Sequence, residues 1–241
     1  MKLSVQLYSL RDAAKKDLRS VIEEVARMGY DGVELAGLHS HAPAEVRTWL
    51  DGCGIVASSA HCGVYDGDKR AAVEDEAIAL GYRHLVGGFG REPFASEASI
   101  RALSDRVSSA AAHFIPRGFT VGLHNHWWEY DAPNKGDLLL ELCPAVHPQL
   151  DVYWVQAGGA DPVEYLRRYA GRVQLIHLKD GPLDRNLPMT AVGKGKVDIA
   201  GVVRAARDIG VQWGIVEIDR CEGEMVTAVR ESHDFLRALL A

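Results

Sequence analysis

The sequence predicts a single (β/α)8 barrel, and three observations lead there. Strand-like apolar runs alternate with amphipathic helical stretches from end to end, in units of about 30 residues. The strand runs are short and almost wholly apolar, as befits strands covered on both faces. Ionisable residues end these runs all along the chain, whereas an open doubly wound sheet, the rival fold, would gather them at one switch point. That rival also lacks its GxGxxG turn after the first strand. The length of 241 residues is close to the roughly 250 typical of one such barrel, and no linker divides residues 1–241.

Taken in order, the first strand is expected over Lys2–Tyr8, with a helix over Asp17–Met28 that carries Val21, Ile22, Val25 and Ala26 on one face. Gly29 stops that helix, because glycine enters the left-handed turn without steric cost. Gly32–Leu35 is the second strand, followed by a helix over Ala42–Asp51. Ile55–His61 comes third, with a helix over Lys69–Leu80 that Gly81 ends. His84–Gly87 is a short fourth strand before a long helix over Ala95–Phe114, closed by Pro116 and Gly118. Phe119–His124 is the fifth, with a helix near Lys135–Leu142. His147–Tyr153 is the sixth, and Pro162 opens the next helix as a suitable first-turn residue. Val173–Leu178, then a long loop and a helix over Ile199–Ile209, form the seventh unit. Trp213–Ile218 and Gly223–Leu240 complete the eighth. The segments RMGYDGVEL, ALGYRHLVG, PRGFTVGL and DIGVQWGIVE repeat one punctuation: helix end, glycine, next strand.

Composition narrows the function classes. A formal net charge of −6 with 25% charged residues gives a mixed, mildly acidic surface that fits neither nucleic acid nor an anionic membrane as partner. No run of 18 apolar residues is present to span a membrane. The opening MKLSVQLYSLRD has no sustained apolar region and no cleavage site, so no signal peptide is expected. Cys53, Cys62, Cys143 and Cys221 lack CxxC spacing and read as free thiols of a cytoplasmic protein. Self-association into a homo-oligomer is left open.

In a barrel, the C-terminal ends of the strands share one mouth where chemistry is done. Those ends supply Gln6 and Tyr8, Glu34, His61, His124 with His126 and Glu129, Asp151, His177 with Lys179, and Glu217 with Asp219. Carboxylates and imidazoles from distant segments meeting at one rim suit a divalent ion such as Mn, Co, Mg or Zn. In LHNHWWEY, alternation sets His124 and His126 on one face and Asn125 on the other, with Glu129 beyond the strand. LDVYW buries Asp151, which then needs a cation or several donors. LIHLKDG aims His177 and Lys179 the same way, and IVEID does so for Glu217 and Asp219. VGKGKVD is a glycine-containing loop whose amides could receive phosphate or sugar oxygens, although it is no P-loop. His39 and His41 read as solvated. His84, His113, His147 and His233 lie at helix ends or strand starts, the wrong end for catalysis.

The ordered set HNHWWEY, LDVYWVQAGGADP, IHLKDG, AVGKGKVD and VEID resembles the sugar phosphate isomerase/epimerase family with the xylose isomerase-like TIM barrel. The opening SVQLYSLRD and the segment GYDGVELAG are similar too, so the resemblance spans nearly the whole chain. It implies one divalent ion held by a carboxylate from strand five, an Asp from six, a His from seven and a Glu from eight, which suggests Glu129, Asp151, His177 and Glu217. Many relatives carry Glu inside strand five where this chain has His124, so His124 is either the ligand or a neighbouring base. Lys194 stands where relatives often have Glu.

The expected chemistry is proton transfer beside a carbonyl that the metal polarises. Glu217 and either Glu129 or a His such as His124 would move the proton, and Lys179 would neutralise the developing oxygen charge. Gln6, Glu34, His61, His126 and Trp154 are the expected substrate contacts, for a small sugar-like molecule. A leaving group at the β carbon would turn the same site into a keto-sugar lyase or dehydratase, inosose dehydratase-like or cleaving 3-keto-glycosides. Two other classes share the fold. A repair endonuclease for abasic sites would need about three metals and a basic groove; a sugar-binding barrel would need no paired acid and base.

Overall fold

The computed structural model describes residues 1–131 and 135–241. Strands β1 (Lys2–Gln6), β2 (Gly32–Leu35), β3 (Val56–His61), β4 (His84–Gly88), β5 (Thr120–His124), β6 (His147–Asp151), β7 (Leu175–Leu178) and β8 (Trp213–Val216) form one closed parallel barrel, with β8 paired back to β1. This is the predicted (β/α)8 architecture. The helices are α1 (Arg11–Ala14), α2 (Leu18–Met28), α3 (Pro43–Cys53), α4 (Arg70–Leu80), α5 (Glu97–Phe114), α6 (Lys135–Leu142), α7 (Val152–Ala157), α8 (Pro162–Arg168), α9 (Ile199–Asp208) and α10 (Met225–Leu240). No helix among the described residues is long and apolar enough to cross a membrane.

Local chemistry explains the element ends. Asp17 caps α2 by accepting from Ser20 N at 3.0 Å, and the helix stops at Gly29, whose φ of 95° is left-handed. Three strands end sooner than their apolar patterns suggest, among them β8, which stops at Val216 and not at Ile218. The Gln6 side chain accepts from Tyr8 N at 3.1 Å and turns Leu7–Leu10 into a short 3-10 helix, so β1 ends at Gln6 and not at Tyr8. Asp151 Oδ1 accepts from Trp154 N at 2.9 Å. A carboxylate at that position satisfies a free first-turn amide, so β6 ends at Asp151 and 152–153, expected in the strand, open α7.

Alternation along the strands separates two apolar layers. Ile176, Leu178 and Val216 join the large core between barrel and helices. Val86, Leu175, Trp213 and Ile215 form a separate cluster of four, the inward counterpart on β4, β7 and β8. Register then places Asp151 beside His177, Gln149 beside His124, and Glu34 beside Gln6 and Ser59. The polar positions of six strands thus converge within one barrel.

His84 and His147 begin their strands, at the barrel end away from these convergent groups. Thr120 Oγ1 lies 2.8 Å from His84 Nδ1 and 3.1 Å from His147 Nε2. Burial pushes His147 down to about 3, whereas an unfolded histidine titrates near 6.5. Between those values the unfolded chain binds the extra proton, so this group's contribution falls as pH drops below about 6.5, by about 1.4 kcal/mol per pH unit. His147→Asn is expected to flatten the acid side of a plot of Tm against pH; an unaltered acid slope would show that another group sets it.

Candidate active site

The C-terminal ends of the strands enclose a cavity of about 610 Å³ whose lining includes Tyr8, His61, His126, Trp128, Trp154, Lys179, Glu217 and Asp219. At its floor His124, Asp151, His177 and Glu217 bring one donor atom each to within 4.8 Å of one another, and all four are buried. They come from β5, β6, β7 and the residue just after β8, so the barrel's closure is what assembles them.

A hydrogen-bonded base lies beneath. Glu34 is fully buried and accepts from Gln6 Nε2 at 2.7 Å, and from Ser59 Oγ, Gln149 Nε2 and His177 Nε2 at 2.6 Å each. Against the cost of burial, the neighbouring His61 and His177 hold its carboxyl at about 2. Because a carboxylate only accepts, Gln149 must turn its amide nitrogen to Glu34 and its oxygen the other way. That Oε1 accepts from His61 Nε2 at 2.8 Å and from His124 Nδ1 at 3.0 Å. Burial, aided by His177, holds His124 well below the usual imidazole range and therefore neutral. With Nδ1 protonated, its Nε2 keeps a lone pair. Gln149→Leu removes the acceptor that fixes this tautomer and is expected to weaken divalent-metal binding by about 10–100-fold. Titration calorimetry with Mn²⁺ on a variant that folds normally checks this, and wild-type affinity would refute it.

His177 is flanked on both sides. Its Nδ1 donates to Glu217 Oε2 at 2.7 Å while Nε2 serves Glu34. Burial opposes its charge, yet the two carboxylates prevail and raise it to about 10. Lys179 is also buried. Its Nζ lies 2.8 Å from Glu217 Oε2, 3.0 Å from Asp219 Oδ1 and 3.1 Å from Asp151 Oδ2. Burial pushes Asp151 up to about 6, partly offset by Lys179. Its backbone is pinned by Asn125, whose Oδ1 accepts from Asp151 N at 2.9 Å.

The cluster fits a divalent ion that displaces the Nδ1 proton of His177 shared with Glu217, while Nε2 keeps its bond to Glu34. Two carboxylates and two imidazoles are a common donor set for one, and Asp151 Oδ2 is buried with no well-aligned hydrogen bond of its own.

The expected residues are not all brought together. Glu129 is buried, but its Oε2 accepts from His126 N at 3.0 Å, closing the turn Trp127–Glu129, and it is absent from the convergent group. Gln6 and Glu34, expected to touch substrate, have no exposed surface and form the base under the cavity. His61, His126 and Trp154 do line it. The amides of the VGKGKVD loop are already committed: Gly193 N and Gly195 N donate to Asp180 Oδ2 at 3.0 and 2.9 Å, and Val197 N to its Oδ1 at 3.1 Å. They form no anion cradle. Gln149, Ser59 and Asn125 escaped the sequence reading. Gln149 lies two residues before Asp151 and Ser59 two before His61, so strand alternation alone could have exposed both.

Comparison with known proteins agrees with this architecture. A family described as "Xylose isomerase-like TIM barrel" matches residues 22–239. An inosose dehydratase of Geobacillus kaustophilus is 30% identical over 188 residues, a stretch that covers 66% of this chain and 61% of that relative. The chain therefore matches under two thirds of that protein's length. A sugar phosphate isomerase/epimerase structure from Parabacteroides distasonis superposes with a TM-score of 0.81 at 19% identity, covering 98% of both chains. A D-allulose 3-epimerase from Methylomonas sp. superposes at 0.73 with 16% identity, over 99% of this chain and 98% of that one. The chain belongs to the xylose isomerase-like TIM barrel family.

Proposed function

We propose that the protein is a divalent-metal-dependent enzyme that moves a proton at the carbon beside the carbonyl of a small sugar-like substrate, as an isomerase or epimerase. The observation that carries this reading is the convergence of His124, Asp151, His177 and Glu217 at the floor of the cavity. These four would hold the ion, with His124 taking the strand-five position for which Glu129 was the first candidate. Two imidazoles with two carboxylates suit Mn, Co or Zn better than Mg. When bound, the ion supplies Lewis acidity to the substrate carbonyl.

The chain's own groups supply the rest. Lys179 stands at the cavity wall, where its ammonium can offset negative charge growing on a substrate oxygen. Glu217 is held ionised because, against burial, Lys179 and His177 keep its carboxyl well below the usual range. It can therefore accept a proton. His126 also lines the cavity, and burial with the nearby Lys179 lowers it to about 4, so it is a neutral imidazole near pH 7. Glu217 and His126 are the proposed proton-moving pair. Glu129, which burial holds in the neutral acid form, supports the turn that carries His126.

The similarity to an inosose dehydratase favours a second reading at the same site, in which abstraction of that proton expels a β-hydroxyl as water. Elemental analysis followed by deuterium wash-in across keto sugars and inososes tests both. One equivalent of metal and solvent deuterium at the carbon beside the carbonyl are expected; a dehydrated product would select the second reading. A metal-replete protein that binds these compounds but exchanges no carbon-bound hydrogen would be a binding barrel instead.

A further inference from the structure

We infer that the substrate is an uncharged, unphosphorylated polyhydroxy ketone, seated against an aromatic wall in a cavity whose charge balance disfavours a phosphate. This rests on the proposed function and narrows it. A phosphate group carries a charge of about −1.5 to −2 at neutral pH and is held by several charge-assisted donors, from Arg, Lys or free backbone amides. Each source can be followed around the cavity.

Among the described residues, Lys179 is the only Lys or Arg that lines it, and residues 132–134 contain neither type. An ammonium has three N–H donors. Here three carboxylates lie within 3.1 Å of Nζ, those of Asp151, Glu217 and Asp219. A phosphate would have to compete with these three carboxylates for the ammonium.

The two sets of backbone amides closest in sequence to Lys179 and Asp151 are also committed. The glycine-containing loop after β7 gives its N–H groups to Asp180, and the start of α7 gives Trp154 N to Asp151. Arg11 stacks on Tyr8 at 4.2 Å and gives its guanidinium to Tyr8 O and Asp219 O, while Arg91 and Arg185 stack on Trp127 at 5.1 and 3.9 Å; all three lie outside the lining. Charge points the same way. Asp151, Glu217 and Asp219 outweigh Lys179 by two negative charges, which a divalent ion brings to neutral. A phosphate would then add about two uncompensated negative charges to this balanced set.

What the wall offers instead suits a neutral ring. Tyr8, Trp128 and Trp154 line the cavity, and Trp128 stacks on His126 with centroids 4.2 Å apart and planes 13° apart, a fixed flat platform. Aromatic faces pack against the C–H faces of a ring while its hydroxyls reach polar neighbours.

The test uses the Mn²⁺-loaded full chain and matched pairs, such as fructose with fructose 6-phosphate and tagatose with tagatose 6-phosphate. scyllo-Inosose is added as an uncharged cyclic ketone. Binding is followed by tryptophan fluorescence and proton transfer by deuterium wash-in. The uncharged member of each pair is expected to bind at least about 100-fold more tightly, the size that juxtaposed like charges produce. Asp219→Arg, which adds a cation to the wall, is expected to narrow that ratio. Equal or tighter binding of the phosphorylated members overturns this inference and leaves the proton-transfer reading intact. Binding of uncharged compounds with no exchange from any of them sinks the proton-transfer reading and leaves the charge preference standing. Failure of every compound to bind counts against both.

Discussion

His177→Ala is expected to lower divalent-metal affinity by at least about 100-fold and to destabilise the fold by about 3–5 kcal/mol. The two effects share one cause. His177 is one of four convergent donors, and it is also the hydrogen-bonded partner of two buried carboxylates, Glu217 at 2.7 Å and Glu34 at 2.6 Å. Alanine removes a ligand and takes the imidazolium partner from two buried carboxylates. Metal content by elemental analysis and urea unfolding in the presence of a chelator measure the effects separately. The double variant with Glu34→Gln is expected to recover part of the stability, because one buried charge that lost its imidazolium is gone, and none of the metal. Undiminished metal in His177→Ala would end the ligand assignment.

Lys179→Met should behave differently. Its Nζ is the buried cation shared by Asp151, Glu217 and Asp219. Without it, the chelated protein is expected to lose about 3–5 kcal/mol, as when one partner of a buried ion pair is deleted. Saturating metal should then restore much of that loss, since ligand at a hundred times its Kd adds about 2.7 kcal/mol. Metal content should persist while kcat falls by about 100–1000-fold, the usual effect of removing one charge-stabilising donor. Melting curves with EDTA and with Mn²⁺, set beside kcat, distinguish the cases. A deficit in Tm that metal leaves untouched would mean that Lys179 does not share carboxylates with the ion.

The barrel was legible because its signals are local and repeated: glycine stops such as Gly29, apolar strands, and polar strand ends. Asp151, His177 and Glu217 were legible for the same reason, each being an ionisable residue at the end of an apolar run. Glu129 was misleading because sequence proximity to His126 suggested a place over the mouth. Its side chain turns back onto His126 N instead, a choice that depends on where a short turn begins. Gln6 and Glu34 face inward as alternation predicts, but depth along the barrel axis comes from the stagger between strands, which one strand's pattern does not carry. Gln149 and Ser59 are uncharged, so they attracted no attention among histidines and acids. Their partners lie 115 and 25 residues away in the sequence, and only closure of the barrel makes them neighbours.

Asp180 divides the long connection after β7 into two parts with different freedom. Its carboxylate ties down Gly193, Gly195 and Val197, and its backbone forms a bridge with Thr190. The chain between residues 182 and 189 leaves and returns at this clasp, and on the way is tied to Arg220 and Cys221. Pro182, Leu187, Pro188 and Met189 line a second cavity beside the site, so exchanges there would reshape that cavity and leave His177 and Lys179 in place. A single acid next to Lys179 thus anchors the returning half of the loop.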